Sequence, residues 1–200
     1  MLFEFQGLRF IRGASAALPD RLYCGLRDKF KVPIVEAFGM TEALSHCFTN
    51  PLYGEQRIGT VGLPDGVEAQ IIEGELYIKG PCLFTADWYN TGDQVQQDSA
   101  GYYKILGRTK DRINVKGYKL DPNSIENQLY NLMPEMVECA VFGHDKVNCV
   151  YVGPYDPVDV KQALKSISNF ANPVIIEKLE SIPKNGAGKI SRSMLIEFYK

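Results

Sequence analysis

Asp93 and Arg108 stand fifteen residues apart, and both side chains suit the oxygens of a sugar or a phosphate. Asp93 ends Tyr89-Asn90-Thr91-Gly92-Asp93, where a Thr-Gly turn is expected to hold its carboxylate at an exposed loop tip. An ionised carboxylate only accepts hydrogen bonds. Its two oxygens can therefore take two neighbouring hydroxyls of one sugar, at about 1.5–3 kcal/mol for each charged bond. Arg108 carries a rigid fork of donors, and the strand-like Tyr102-Tyr103-Lys104-Ile105-Leu106 before it can bring it back toward Asp93. In Glu36-Ala37-Phe38-Gly39-Met40-Thr41-Glu42, Phe38 offers a flat face for a base, Thr41 a hydroxyl for a phosphate, and Glu42 a hard oxygen ligand for magnesium. Each feature also has an ordinary structural reading: a loop cap, a surface charge, or a core aromatic followed by a helix cap.

Pro183-Lys184-Asn185-Gly186-Ala187-Gly188-Lys189-Ile190 contains a Gly-Lys pair but is not a P-loop. That motif needs glycine where Pro183 stands and Ser or Thr where Ile190 stands. What remains is a lysine on a flexible glycine loop, able to swing into a site made elsewhere, or else a solvated loop lysine.

The elements that must position these groups fall into two halves. Leu8-Arg9-Phe10-Ile11 reads as a strand, and Gly13-Ala14-Ser15 as a small-residue turn that lets a flat ligand approach the backbone. A helix follows Pro19 with Leu22, Leu26 and Phe30 inward, and Val32–Phe38 reads as a second strand of an α/β layer. Residues 67–71 and 75–79 alternate with period two around Glu73-Gly74, a hairpin signal, and residues 58–106 are expected to form an antiparallel, barrel-like subdomain. Beyond it, Asp121-Pro122 and Asp156-Pro157 each read as an N-cap followed by proline at the first helical position. Ile125, Leu129 and Leu132 would point inward from the first of these helices, and Val160, Leu164 and Ile167 from the second. Strands are expected at 137–142, 149–152 and 174–176, giving domains at 1–109 and 110–200.

Composition narrows the partners. The chain has 200 residues, 45% of them hydrophobic, and a net charge of -2, so no broad basic face is available for nucleic acid or an anionic membrane. No apolar run is long enough to span a bilayer. The stretch Met1-Leu2-Phe3-Glu4-Phe5 is not a signal peptide. Five cysteines (Cys24, Cys47, Cys82, Cys139, Cys149) make no C-x-x-C pair, and only His46 and His144 accompany them. They read as reduced packing thiols, which points to a cytoplasmic location rather than to a zinc site.

Six motifs occur in a fixed order: Gly13-Ala14-Ser15, Phe38-Gly39-Met40-Thr41-Glu42, Gly74-Glu75-Leu76-Tyr77-Ile78-Lys79-Gly80, Tyr89–Asp93, Gly107-Arg108-Thr109-Lys110-Asp111, and Pro183–Lys189. In this order they resemble the adenylate-forming superfamily of acyl- and aryl-CoA synthetases, peptide-synthetase adenylation domains and luciferases. The resemblance implies an α/β plus α+β chain: a remnant of the large α/β domain with a β-barrel-like subdomain, then a small mobile α+β lid. It implies ATP-dependent activation of a carboxylic acid as an acyl-adenylate, followed by transfer to CoA or to a carrier-protein thiol. ATP or AMP, magnesium and CoA would be the cofactors. Gly13, Ala14 and Ser15 would line the adenine and acyl pocket, and Phe38 would stack on adenine beside Gly39 and Met40. Thr41 would contact the phosphate, Glu42 would hold magnesium, and Asp93 and Arg108 would bind the ribose. Lys110 would be the hinge of domain alternation, Gly117 would border the thiol tunnel, and Lys189 would bridge the carboxylate and the transferring phosphate.

Nothing in the chain resembles the Ser/Thr/Gly-rich loop with which the family grips the ATP phosphates. The chain therefore reads as the C-terminal part of such an enzyme, its missing N-terminal part being a possible partner. The segments Phe84–Trp88 and Phe142–Asp156 also look shorter than the family's. The rival reading is a truncated, non-catalytic AMP-binding fragment that needs the missing part.

Overall fold

The computed structural model describes residues 7–186 and 188–200; the amino-terminal stretch read above and Ala187 lie outside them. The chain divides into two compact units, the first ending at Ile105 and the second beginning at Leu106.

In the first unit, β1 (Ile11–Gly13), helix α1 (Asp20–Phe30), β2 (Ile34–Gly39), β3 (His46–Thr49) and β4 (Leu63–Pro64) build a sheet of order β1-β2-β3-β4. The β1–β2 pair is parallel with Gly13 opposite Glu36, and β2–β3 is antiparallel with an irregularity between Phe38 and Gly39. The expected inward face of α1 is corrected. Tyr23 is its buried residue and Leu22 is 49% exposed, because the Tyr23 hydroxyl reaches Gln56 and draws the neighbouring face inward. A second sheet follows in the order β5 (Glu68–Ile72), β6 (Glu75–Lys79), β7 (Tyr89–Gln97), β8 (Tyr103–Arg108). Glu73 (φ 52) and Gly74 (φ 83) form the two-residue turn that matches strand twist, which is the hairpin read from the sequence. Gly62 pairs with Tyr103, and the Phe48 ring meets the Tyr103 ring edge-on at 5.0 Å, so one apolar core joins the two sheets.

In the second unit, β9 (Ile113–Val115) and β10 (Tyr118–Leu120) form a hairpin over Lys116 and Gly117, both at positive φ. Helix α2 (Pro122–Leu132) leads into β11 (Glu138–Phe142), β12 (Asn148–Val152), α3 (Pro157–Ile167), β13 (Ile175–Lys178) and α4 (Arg192–Phe198). The sheet order is β11-β12-β13, antiparallel then parallel. Cys139 and Val141 pack with Ile125, Leu129, Val160 and Leu164 of α2 and α3, whereas Ala140 and Phe142 pack with Ile182 and Leu195. The strand alternation therefore serves two cores, one on each face. Leu132 departs from its expected inward face: it is 55% exposed and Met133 is buried instead, since α2 ends there.

The free edge of β11 is closed by side chains. Tyr130 Oη accepts the Cys139 amide at 2.9 Å and Glu126 Oε1 accepts the Val141 amide at 2.7 Å. These two residues lie one helical turn apart on α2, so their spacing matches alternate amides of the strand. Asp121 caps α2 through the amides of Asn123 and Ser124, as its Asp-Pro signature implied, whereas Asp156 makes no such side-chain cap to α3. Asp121 also explains Gly107. A Cβ there would stand 2.7 Å from Asp121 Oδ2 and 2.8 Å from Oδ1.

Gly107→Ala should accordingly push Asp121 off its cap and cost about 1–3 kcal/mol, read by urea denaturation. In an Asp121→Ala background the same substitution should cost much less. Additive losses would show that the carboxylate is not what excludes the methyl group.

Candidate functional site

Because β1 and β2 are parallel, the segments that follow them emerge at the same edge of the sheet. Gly13-Ala14-Ser15 leaves β1 there, with Ser15 at φ 75, and Phe38–Glu42 leaves β2. The carboxyl edge of parallel strands is where open α/β sheets bind ligands. Gly39 is required by backbone proximity, since a Cβ would meet His46 Cα at 2.7 Å. That approach folds the chain into a short 3-10 turn, Thr41–Ala43, with Thr41 exposed and Glu42 half-buried. The Phe38 ring is half-buried and lies edge-on to Phe48 at 6.0 Å, so part of it belongs to the core and part remains open.

The placement of Asp93 is a correction. The expected exposed loop tip is the middle of β7, and Asp93 is 3% exposed. Gly92 at φ 71 bends the strand without ending it, while the Thr91 hydroxyl donates to Leu76 O and accepts the Asp93 amide. Asp93 is close enough to Cys47, beside His46, to help push that thiol up to about 12, after burial and the neighbouring Cys82. Gly13–Ser15 and Phe38–Glu42 thus leave one edge of the first sheet, and Asp93 lies near Cys47 of β3, the strand paired with β2.

Arg108 is the exposed last residue of β8, the strand that runs across the boundary between the units, and Lys110 is exposed on a 3-10 turn at Thr109–Asp111. Gly117 donates to Asn114 Oδ1 at 3.0 Å with open space on its Cα. Lys189 is exposed on the loop between the paired residues Lys184 and Ile190.

Two polar features escaped the sequence reading. Ser45 Oγ, His46 Nδ1, His46 Nε2 and Asp65 Oδ2 form a string of contacts at 3.2 and 3.0 Å beside the Phe38–Glu42 turn. Glu36 is buried beneath Gly13, and its Oε2 accepts the Gly59 amide at 3.3 Å. Burial pushes its carboxyl from the ordinary 4.5 to about 7; Asp20 adds to the rise and the Gly59 amide opposes it. Charge alternation in the sequence carries no mark of either, since both depend on residues distant in the chain. Among the described residues no three His, Cys, Asp or Glu side chains gather as a metal cage. No helix among them is long and apolar enough to cross a membrane.

Residues 3–86 match the family described as "AMP-binding enzyme". The acyl-CoA ligase clz12 of Cochliobolus lunatus is 31% identical, over 96% of this chain and 67% of its own length. The chain belongs to this family of adenylate-forming, AMP-binding enzymes. An oxalate–CoA ligase of Arabidopsis thaliana is 28% identical over 98% of this chain and 45% of its own. Their alignment runs over 235 residues, more than the chain contains, so that relative carries internal segments with no counterpart here. ATP-bound MatB from Rhodopseudomonas palustris superposes with a TM-score of 0.87 at 27% identity, covering 94% of this chain and 45% of that one. The fold is therefore that of the adenylate-forming enzymes. The chain spans about 45% of the length of several curated relatives that it matches.

Glu36 makes stability depend on pH. An acid whose pKa rises on folding binds more protons when folded, so its stabilising effect is fullest near pH 4.5 and falls as pH climbs through about 7. One pKa unit is about 1.4 kcal/mol, and with relaxation of the surrounding groups the expected loss is about 2 kcal/mol. Urea midpoints at both ends of that window should show the decline, and Glu36→Gln, which keeps an acceptor for Gly59, should flatten it. An unchanged slope in the variant would assign the titration to another group.

Proposed function

We propose that the chain forms part of an AMP-forming ligase that activates a carboxylic acid with ATP and passes the acyl group to a thiol, CoA being the acceptor favoured by its relatives' names. The observation that carries this reading is the shared sheet edge, which brings Gly13, Ala14, Ser15, Phe38, Gly39, Met40, Thr41 and Glu42 to one place in the first unit. Its residues fit a nucleoside monophosphate. The exposed small turn and the open part of Phe38 suit a flat base, and the Thr41 hydroxyl suits a phosphate oxygen. Asp93 and Arg108 would bind the ribose. Glu42 would hold magnesium as a single carboxylate, as that ion accepts when substrate phosphates and water complete its shell, and the ion would supply charge neutralisation. Lys110 would be the hinge, Gly117 would border the thiol path, and Lys189 would donate to the carboxylate and phosphate oxygens as charge moves between them. The division of the domains at Lys110 belongs to the same proposal.

A second reading is favoured by the partial coverage of the relatives: these 200 residues bind AMP but turn over only with a further segment that cradles the distal phosphates. ATP–pyrophosphate exchange over a panel of carboxylic acids separates the two. The expected result is no exchange by the chain alone and exchange once an upstream segment is supplied; exchange by the chain alone would overturn the second reading. In whichever form binds nucleotide, Asp93→Asn should weaken AMP by about 2–4 kcal/mol in calorimetry, with the melting temperature recorded as a control. Equal affinity would remove Asp93 from the ribose site.

A further inference from the structure

The glycine-rich loop that bears Lys189 reads in the sequence as free to swing, yet its backbone is held on three sides. Lys184 and Ile190 pair as an antiparallel bridge and close the loop into a tight hairpin. Within it, one residue takes both backbone polar groups of Lys189. The Asn185 amide donates to Lys189 O at 2.8 Å, and the Lys189 amide donates to Asn185 Oδ1 at 3.0 Å. Asn185 O also accepts the Gly188 amide at 2.9 Å.

Both arms of the hairpin are then tied to β11. Lys184 Nζ lies 2.9 Å from Glu138 Oε1 at the start of that strand. Three residues beyond Lys189, Arg192 donates through Nε to Val141 O at 3.0 Å, and through Nη2 to Asn123 Oδ1 and to both Glu126 oxygens at 2.7 Å. Arg192 is only 16% exposed, and its planar fork serves a strand carbonyl through Nε and a helix carboxylate through Nη2, a fixed spread of donors that an ammonium group lacks.

We propose that Asn185 is a positioning residue for Lys189, with Arg192 and Lys184 as the struts that fix the hairpin to the sheet. This rests on the reading of Lys189 as the lysine of adenylation. Ordering one backbone residue costs about 1–2 kcal/mol, and the Asn185 clamp meets that cost before any ligand arrives. Only the side-chain torsions of Lys189 then remain to be fixed at the reacting phosphate. Asn185 touches no substrate in this scheme. It sets where the ε-amine can reach.

The test compares parent, Asn185→Ala and Asn185→Asp, the last keeping an acceptor at Oδ1. In the 200-residue chain, amide hydrogen exchange at Lys189 should be roughly 10-fold faster in Asn185→Ala and near the parental rate in Asn185→Asp, the scale expected for one lost hydrogen bond. The Leu195 amide in α4 serves as the control and should not change. Equal Lys189 exchange in parent and Asn185→Ala overturns the proposal whatever the activity. In the form active in pyrophosphate exchange, Asn185→Ala should lower kcat for adenylation while KM for ATP and thiol transfer from supplied acyl-adenylate hold, and Asn185→Asp should restore it. Loss of both half-reactions together, or of neither, overturns it as well. A protected Lys189 amide combined with full adenylation by Lys189→Ala would instead overturn the role given to Lys189 and leave the clamp standing as structure.

Discussion

Glu126 is the side chain on which the second unit depends. Its Oε1 closes the free edge of β11 at Val141, and the same carboxylate receives the Arg192 guanidinium, which in turn takes the Val141 carbonyl. One carboxylate thus replaces a missing neighbouring strand and fastens the carboxy-terminal segment. Burying such a pair is worthwhile only when nearly all its donors and acceptors are used, and here a strand amide, a strand carbonyl and the Asn123 side chain complete it. An unprotected edge would leave backbone groups available to another chain, and these charged groups prevent that.

The first unit depends on closeness of backbone rather than on charge. Gly39 lets β2 pass close to His46, and the chain turns at once into the Thr41–Ala43 turn, which presents Thr41 and Glu42 at the sheet edge instead of continuing the strand. Beneath the same edge Glu36 is held against the Gly59 amide at a cost in desolvation. Buried carboxylates shifted in this way are enriched at functional sites.

The two units use different physics for the same purpose. In one, small residues let the backbone approach closely at the sheet edge; in the other, a charge network and an asparagine hold a lysine on an otherwise pliant loop. Membership of the AMP-binding family is consistent with both.

Local rules account for what was legible in the sequence. The period-two pattern and the Glu73-Gly74 turn located β6 at Glu75–Lys79, and Asp121-Pro122 marked the start of α2, because pleat, turn and cap are decided by residues within a few positions of one another. The order of motifs likewise identified the family, since it is a property of the chain as written. Three things needed the tertiary structure. Tyr23 rather than Leu22 is buried because Gln56, far along the chain, receives its hydroxyl. Asp93 lies inside β7 rather than at a tip because Thr91 bonds to β6 across the sheet. Lys189 is clamped rather than loose because Asn185 holds its backbone and the loop on either side is tied to distant β11 through Lys184 and Arg192. The sequence by itself determined the β5–β6 hairpin, the start of α2 and the family that the motifs compose. Which face is buried, and which backbone is held, depended on partners distant in sequence, because burial and hydrogen-bond satisfaction are set by neighbours in space.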